Sequence, residues 1–140
     1  MNRRTFLRLS TTLAAISMAP PLAAWAESAD YQPDLLKADL AAGKTVVLHF
    51  SATWCGTCQA QVRAMQAIKA ADPGYDKALT FMLVDWDTWA NSDLTLALNV
   101  PERSTIVVLK GQGEVGRLYA ETTVGPIKAL LDQAVKAAQS

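Results

Sequence analysis

Both cysteines of the chain lie two residues apart behind a tryptophan, in the segment SATWCGTCQA at residues 51–60. Cys55 and Cys58 could form a structural disulfide, supply half of a metal site, or act as a redox pair. A disulfide across a gap of two residues removes little entropy from the unfolded chain, and two cysteines are too few for a disulfide-stapled scaffold. The structural disulfide is therefore the weakest of the three interpretations.

A buried strand and a helix are predicted on either side of the cysteine pair. Residues 45–52, TVVLHFSA, form a continuous apolar and β-branched run of strand length. From Gly56 to about Ala71, apolar residues and alanines recur at helical spacing, and DPGY ends the pattern. The pair therefore lies at a strand-to-helix junction.

This position favours thiolate chemistry. Cys55, at the start of the helix, faces unpaired backbone N–H groups and the positive end of the helix dipole, and both lower the pKa of its thiol. Cys58 follows after nearly one helical turn, on the same face and within bonding reach. Cys55 would attack a disulfide and form a mixed disulfide, which Cys58 would resolve.

The remaining segments predict an alternating α/β order. A first helix at residues 34–44 precedes the strand just described, and a second buried strand covers residues 78–87. Residues 91–100 predict a short helix that Asn91 or Ser92 could cap. A β-hairpin at residues 104–120 and an amphipathic helix at residues 122–139 complete the order.

In this order, with Cys-x-x-Cys at the first strand-to-helix turn, the chain resembles the thioredoxin-like family. KTVVLHFSATWCGTC, VDWD, STIVVLKGQGEVGRL and the last helix carry the resemblance, which covers nearly all of the chain after its N-terminal segment. It implies an α/β, thioredoxin-like fold with a central mixed β-sheet flanked by helices. It also implies an exposed attacking Cys55, a more buried resolving Cys58, and no cofactor beyond the redox-active disulfide Cys55–Cys58.

Three neighbours of the cysteines are predicted to support the chemistry. Gly56 and Thr57 stand where thioredoxins have Gly-Pro, so residue 57 regains an N–H that could stabilise a thiolate. This change favours a redox potential above the thioredoxin value of about −270 mV. Trp54 matches the family's tryptophan before the motif and is predicted to pack at the site and shape it.

The sole histidine, His49, lies six residues before Cys55, where thioredoxins usually carry a buried aspartate. Two interpretations stay open. The imidazole could have a pKa near neutrality and assist proton transfer to the resolving cysteine, or it could be an ordinary core histidine.

Ser104 occupies the position where the family usually has a cis-proline facing the cysteines. A cis Arg103–Ser104 bond would cost about 3–4 kcal/mol, so we expect a trans bond. The serine hydroxyl could bind the thiolate or a docking peptide, and the missing proline ring would leave the cysteines more open. Arg103 and Ser104 are therefore the candidate substrate-binding residues.

The N-terminal segment, residues 1–26, is predicted to be a cleaved export signal. Arg3 and Arg4 precede Thr5-Phe6-Leu7, an apolar run covers residues 13–24, and Ala24-Trp25-Ala26 offers a cleavage site. The paired arginines resemble the twin-arginine signal of bacteria, with an ordinary Sec signal as the alternative. The apolar run is shorter than the ~20 residues of a membrane span. Residues 27–140 are then one periplasmic thioredoxin-like domain.

The predicted mature chain has ten basic and thirteen acidic residues, a formal net charge of −3. This charge does not favour nucleic acid or an anionic membrane as a partner. The expected partners are protein thiols and disulfides in the periplasm. A protein that acts repeatedly as a reductant there would also need a membrane electron donor, and we expect it to be a monomer.

The predicted function is a periplasmic thiol–disulfide oxidoreductase that uses its Cys-Gly-Thr-Cys pair. Reduction of disulfides of exported proteins is the favoured direction, although the sequence does not decide between a reductant and an oxidant. The alternative is a metal-binding module that holds copper(I) or an iron–sulfur cluster through the two cysteines. A closed zinc site needs four ligands, and two cysteines with one buried histidine do not supply them. A redox-inert partner-binding domain is a third hypothesis, which the intact Trp-Cys-Gly-x-Cys motif disfavours.

Overall fold

The computed structural model describes residues 28–140, so the predicted export signal lies outside the described residues. A single five-stranded sheet forms the centre, in the order β1-β3-β2-β4-β5. The strands are β1 (Ala29–Asp30), β2 (Thr45–Ser51), β3 (Thr80–Asp85), β4 (Thr105–Lys110) and β5 (Gly113–Tyr119).

The sheet is mixed. Strand β3 is parallel to both β1 and β2, whereas β4 is antiparallel to β2 and to β5. Every residue of β2 is buried, as its continuous apolar run predicts for a central strand. The predicted α/β fold with a central mixed sheet is therefore confirmed.

Within residues 28–140, six helices connect and cover the strands. They are α1 (Pro33–Ala41), α2 (Gly56–Ala71), α3 (Gly74–Ala78), α4 (Trp86–Trp89), α5 (Asp93–Ala97) and α6 (Val124–Ala138). Ser92 caps α5 by accepting a hydrogen bond from the N–H of Thr95, which decides between the two predicted caps. The short helices α3 and α4 and the two-residue strand β1 were not predicted.

Two apolar layers hold the helices against the sheet. On one face, α2 and α6 cover Val47, Ile106 and Val108, and Leu131 of α6 is fully buried there. The opposite face of the sheet carries a second cluster with α1 and the segments around α4 and α5. Strand β2 lies in the middle of both layers, and the short turn that follows it leads to Cys55 at the start of α2 and to Cys58 in its first turn.

Within residues 28–140, no helix has both the length and the apolar character needed to cross a membrane.

Candidate active site

Cys55 is the N-cap residue of α2 and follows β2 through a short turn. Its backbone is extended, with φ −91° and ψ 111°, and its N–H donates to the carbonyl of Ala52 at 3.2 Å. The N–H of Cys58 donates to the Cys55 Sγ at 3.2 Å. The sulfur therefore fills the role that a serine or aspartate oxygen has in an ordinary N-cap.

The hydroxyl of Ser104 lies between the two sulfurs. Its Oγ is 3.3 Å from the Sγ of Cys55 and 3.1 Å from the Sγ of Cys58, and both thiols are free. A hydroxyl has one proton to donate, so it can donate to only one sulfur at a time. When Cys55 is the thiolate, the Ser104 hydroxyl can donate its proton to that sulfur.

These contacts determine the acidity of Cys55. Burial by itself would raise the pKa of its thiol, but hydrogen bonds from the Cys58 side chain, the Ser104 hydroxyl, the Cys58 N–H and the Arg103 guanidinium outweigh burial and lower the pKa from 9.0 to about 7. The lowering predicted from the helix terminus is present. Hydrogen bonds to the charged form are its direct cause.

The reactivity of Cys55 should consequently follow a titration near neutrality. Because the thiolate is the reacting form, the rate of alkylation by iodoacetamide should rise with pH to a midpoint near 7 and level off above pH 8. The measurement is the alkylation rate of the reduced protein, with the modified cysteine identified by mass spectrometry. A midpoint near 9 would contradict the hydrogen bonds from Ser104 and the Cys58 N–H to the Cys55 sulfur.

Ser104 differs from the sequence-based expectation in one respect and agrees in another. None of the described residues follows a cis peptide bond, so the Arg103–Ser104 bond is trans, as expected. The more open site expected at this position is not observed, because both cysteines are buried: Cys55 is 5% exposed and Cys58 is 0% exposed. The exposed attacking Cys55 that the resemblance implied is therefore also wrong, since Cys55 packs with Ala52 and Cys58 and its sulfur contacts the Ser104 hydroxyl.

The surface beside Cys55 is formed by Trp54, Arg103 and Asp87. The Trp54 ring is 59% exposed and donates through Nε1 to both carboxylate oxygens of Asp87, at 3.1 and 3.0 Å. The Arg103 Cζ lies 4.5 Å from the centre of this ring. The ring was predicted to pack at the site and shape it, and it contacts Arg103 and Asp87 there from an exposed position. The ring is held on the surface by a carboxylate and a guanidinium, where a docking partner can reach it.

Gly56 and Thr57 occupy the first turn of α2 and are exposed. The backbone N–H that contacts the Cys55 sulfur belongs to Cys58 and not to Thr57. The N–H of Thr57 was expected to help stabilise the thiolate, but the backbone contact to the sulfur is made by the next residue along the helix.

His49 is buried, with its Nε2 2.9 Å from the Oε1 of Gln61. Burial lowers the pKa of His49 from 6.5 to about 4, although the hydrogen bond to Gln61 acts in the opposite direction. A pKa near neutrality is thus wrong for this imidazole, because a buried site disfavours its charged form. A base this weak is poorly matched to a thiol, so the core interpretation of His49 is the better one.

The pKa of His49 predicts a loss of stability in acid. Between pH 6.5 and 4 the unfolded chain binds a proton at this site and the folded chain does not, so the free energy of unfolding falls as the pH falls. The full loss is about 3 kcal/mol below pH 4. The free energy of unfolding, measured with denaturant at pH 7 and at pH 4.5, should show most of this loss. In His49→Asn this part of the slope should disappear, and an unchanged slope would contradict the assignment.

Gln61 is the residue that sequence reasoning missed. Its side chain is fully buried on α2, and its Nε2 donates to the carbonyls of Ser104 at 3.0 Å and Glu121 at 2.9 Å. The available signal was a glutamine three residues after Cys58, on a helix face otherwise made of Ala64, Met65 and Ile68.

Residues 28–140 contain no group of three or more His, Cys, Asp or Glu side chains placed to hold a metal ion. Among the described residues, the site offers only the two sulfurs as soft ligands, and the Ser104 hydroxyl is within hydrogen-bond distance of both.

A family model described as Thioredoxin matches residues 24–134. The chain belongs to the thioredoxin family. Thioredoxin H9 of Arabidopsis thaliana is 36% identical to it over 76 residues, which are 54% of this chain and 50% of that protein. This thioredoxin-family chain thus spans about half the length of that relative.

Solved structures show the same fold. Trxlp from Edwardsiella tarda has a TM-score of 0.63 at 24% identity, covering 76% of this chain and 96% of that one. A thioredoxin from Malassezia sympodialis has a TM-score of 0.62 at 23% identity, covering 74% and 88%, respectively. Thioredoxin from Trypanosoma brucei brucei has a TM-score of 0.61 at 20% identity, covering 85% and 97%. These likenesses show the fold, and the family match supports the predicted enzyme class, a thiol–disulfide oxidoreductase.

Proposed function

We propose that this protein is a periplasmic thiol–disulfide oxidoreductase that reduces disulfides of exported proteins. The observation that carries the proposal is the geometry of the cysteine pair at the start of α2. Cys55 has a pKa of about 7, and its partner Cys58 is fully buried behind it. A half-ionised thiol with an adjacent second thiol is suited to repeated disulfide exchange at neutral pH.

The reaction proceeds in two exchanges. The Cys55 thiolate attacks one sulfur of a substrate disulfide, a Cys55–substrate disulfide forms, and the other substrate sulfur leaves as a thiolate that takes a proton. Cys58 then loses its proton and attacks the Cys55 Sγ, so that the Cys55–Cys58 disulfide forms and the second substrate thiol is released. Two electrons pass from the cysteine pair to the substrate, and no other redox group takes part.

Ser104 is placed to serve both exchanges. Its hydroxyl is within hydrogen-bond reach of the attacking sulfur and of the resolving sulfur. It can donate to the Cys55 thiolate before the first attack and can donate to Cys58 as that sulfur ionises for the second. This role does not require His49, whose low pKa makes it a poor proton acceptor.

The acidity of Cys55 supports the reductive direction. Thioredoxins have a nucleophilic cysteine with a pKa near 7 and a potential of about −270 mV, whereas a strong periplasmic oxidant combines a pKa of about 3.5 with about −120 mV. A pKa of about 7 for Cys55 resembles the first group. We therefore expect a potential near the thioredoxin value.

The location and the partners are part of the same proposal. The twin-arginine-like N-terminal segment supports export to the periplasm, where the substrates would be disulfides of other exported proteins. Arg103 and Ser104, beside Cys55 and the exposed Trp54 ring, are the residues proposed to contact them. Because that compartment is oxidising, a membrane electron donor must return the pair to its reduced state. The protein is proposed to act as a monomer.

The test is the redox potential of the Cys55/Cys58 pair in glutathione and dithiothreitol buffers, together with its redox state in cells. A potential near −270 mV and mostly reduced periplasmic protein are expected. A potential above roughly −180 mV with mostly oxidised protein would instead indicate an oxidant or isomerase. Metal analysis of protein purified after native export distinguishes the metal-binding alternative, which no contact in the structure favours.

A further inference from the structure

Gln61 uses all of its hydrogen-bonding groups on partners far from it in sequence. Both hydrogens of its amide nitrogen are donated, one to the carbonyl of Ser104 and one to the carbonyl of Glu121. Its carbonyl oxygen lies 2.9 Å from the Nε2 of His49. Since the amide nitrogen is engaged by two acceptors, the oxygen must face His49, and Nε2 must carry the imidazole proton.

This arrangement connects three elements of the active site. His49 lies on β2, and Gln61 lies on α2, three residues after Cys58. Ser104 lies in the loop before β4. Neutral His49 can donate to Gln61 at any pH above its low pKa. The amide of Gln61 is therefore held in one orientation, and that orientation determines which groups it presents to the loop.

The backbone of Ser104 needs such support. Its φ is 61°, a left-handed conformation that residues with a Cβ rarely adopt. Its N–H donates to the carbonyl of Phe50 at 2.7 Å, and its own carbonyl accepts from the N–H of Ala120 at 2.9 Å and from Gln61 at 3.0 Å. A strained residue persists where the surrounding contacts overdetermine its conformation.

We propose that Gln61 is a positioning residue for the thiol chemistry, holding Ser104 so that its hydroxyl lies between the two sulfurs. His49 acts indirectly, because its hydrogen bond holds the Gln61 amide in one orientation. Packing alone would permit an apolar side chain at position 61, since the neighbouring buried residues on this face of α2 are apolar. The inference rests on the proposed exchange reaction at Cys55, but its direct consequence is a property of the thiol itself.

The test replaces Gln61 and measures the pKa of Cys55 from the pH dependence of its alkylation. In Gln61→Met the Ser104 hydroxyl loses its fixed position, so the pKa of Cys55 should rise by about one unit and the thiolate fraction at pH 7 should fall about fivefold. Gln66→Met is the matched control, because Gln66 is an exposed residue of the same helix. In Gln66→Met the pH dependence of Cys55 alkylation should match that of the wild type.

A double variant separates positioning from a general effect on the fold. In a Ser104→Ala background, Gln61→Met should change the pKa of Cys55 no further, because the hydroxyl that it positions is absent. Additive shifts, or a cooperatively folded Gln61→Met with the wild-type pKa, would overturn the proposal. If Gln61→Met does not melt cooperatively, Gln61→Asn keeps a buried amide that is one methylene shorter. It should shift the pKa in the same direction, and a wild-type value would again overturn the proposal.

The readout distinguishes this inference from the proposed function. Alkylation of Cys55 needs no protein substrate, electron donor or membrane. A protein that reduces no exported disulfide but shows the expected pKa shifts would contradict the proposed function alone. Unchanged pKa values in a protein that exchanges disulfides normally would contradict the positioning role alone.

Discussion

Cys58→Ser should convert the protein into a trap for its substrates. Cys55 would still attack a substrate disulfide, but the resolving sulfur, which is fully buried behind Cys55 in the wild type, would be absent. The mixed disulfide would then persist, because the hydroxyl of serine does not displace a sulfur from a disulfide. We expect discrete high-mass species on non-reducing gels that disappear on reduction, and mass spectrometry would identify the trapped proteins.

Cys55→Ser is the matched control and should form no such species. Since this change removes the attacking thiolate, insulin-disulfide reduction should fall by a factor on the order of a hundred or more. Trapping by Cys55→Ser that equals trapping by Cys58→Ser would mean that the roles of the two cysteines have been assigned wrongly. If the wild type exchanges no thiols and Cys58→Ser traps nothing, the oxidoreductase function itself is excluded.

Ser104→Pro should destabilise the protein strongly, although proline is the residue that the family usually places there. Proline fixes φ near −65°, whereas Ser104 has φ 61°, and proline lacks the N–H that donates to the carbonyl of Phe50 at 2.7 Å. The combined loss should be roughly 3 kcal/mol or more. Thermal unfolding should therefore show a Tm lower by roughly 10–20 °C.

Ser104→Gly separates the backbone of Ser104 from its hydroxyl. Glycine keeps the N–H and adopts a positive φ without strain, so the Tm should equal or slightly exceed that of the wild type. The hydroxyl is nevertheless lost, so the pKa of Cys55 should rise. A Ser104→Pro protein that melts within a few degrees of the wild type would show that the loop before β4 accepts another conformation at no cost.

The long elements of the fold were predictable and the short ones were not. Strand β2 is a continuous apolar run of strand length, helix α2 is long enough to show a helical period, and both have nearly the predicted bounds. Helices α3 and α4 have only five and four residues, too few for a period to appear. Tertiary contacts stabilise α3, since its Tyr75 is buried and donates a hydrogen bond to Asp132 of α6.

The environment of the cysteines was predicted only in part. The position of Cys55 at a helix N-terminus follows from local sequence, and a lowered pKa follows from that position. His49 was assigned a pKa near neutrality as one of two interpretations because its alignment with a buried aspartate suggested proton transfer. Burial of the imidazole instead lowers its pKa. The apolar run predicted a buried strand, but it did not show that the side-chain partner of His49 would be the neutral amide of Gln61, 12 residues away.

The sequence by itself determined the thiol pair, its spacing and its place between a buried strand and a helix. These are local properties, because hydrophobic periodicity and helix geometry act over a few residues. Only the tertiary structure decided what surrounds the sulfurs. Ser104 reaches Cys55 and Cys58 from 49 and 46 residues away, and Gln61 reaches the carbonyl of Glu121 from 60 residues away. The antiparallel register of β2 and β4 brings these groups together, and that register depends on the packing of the whole sheet.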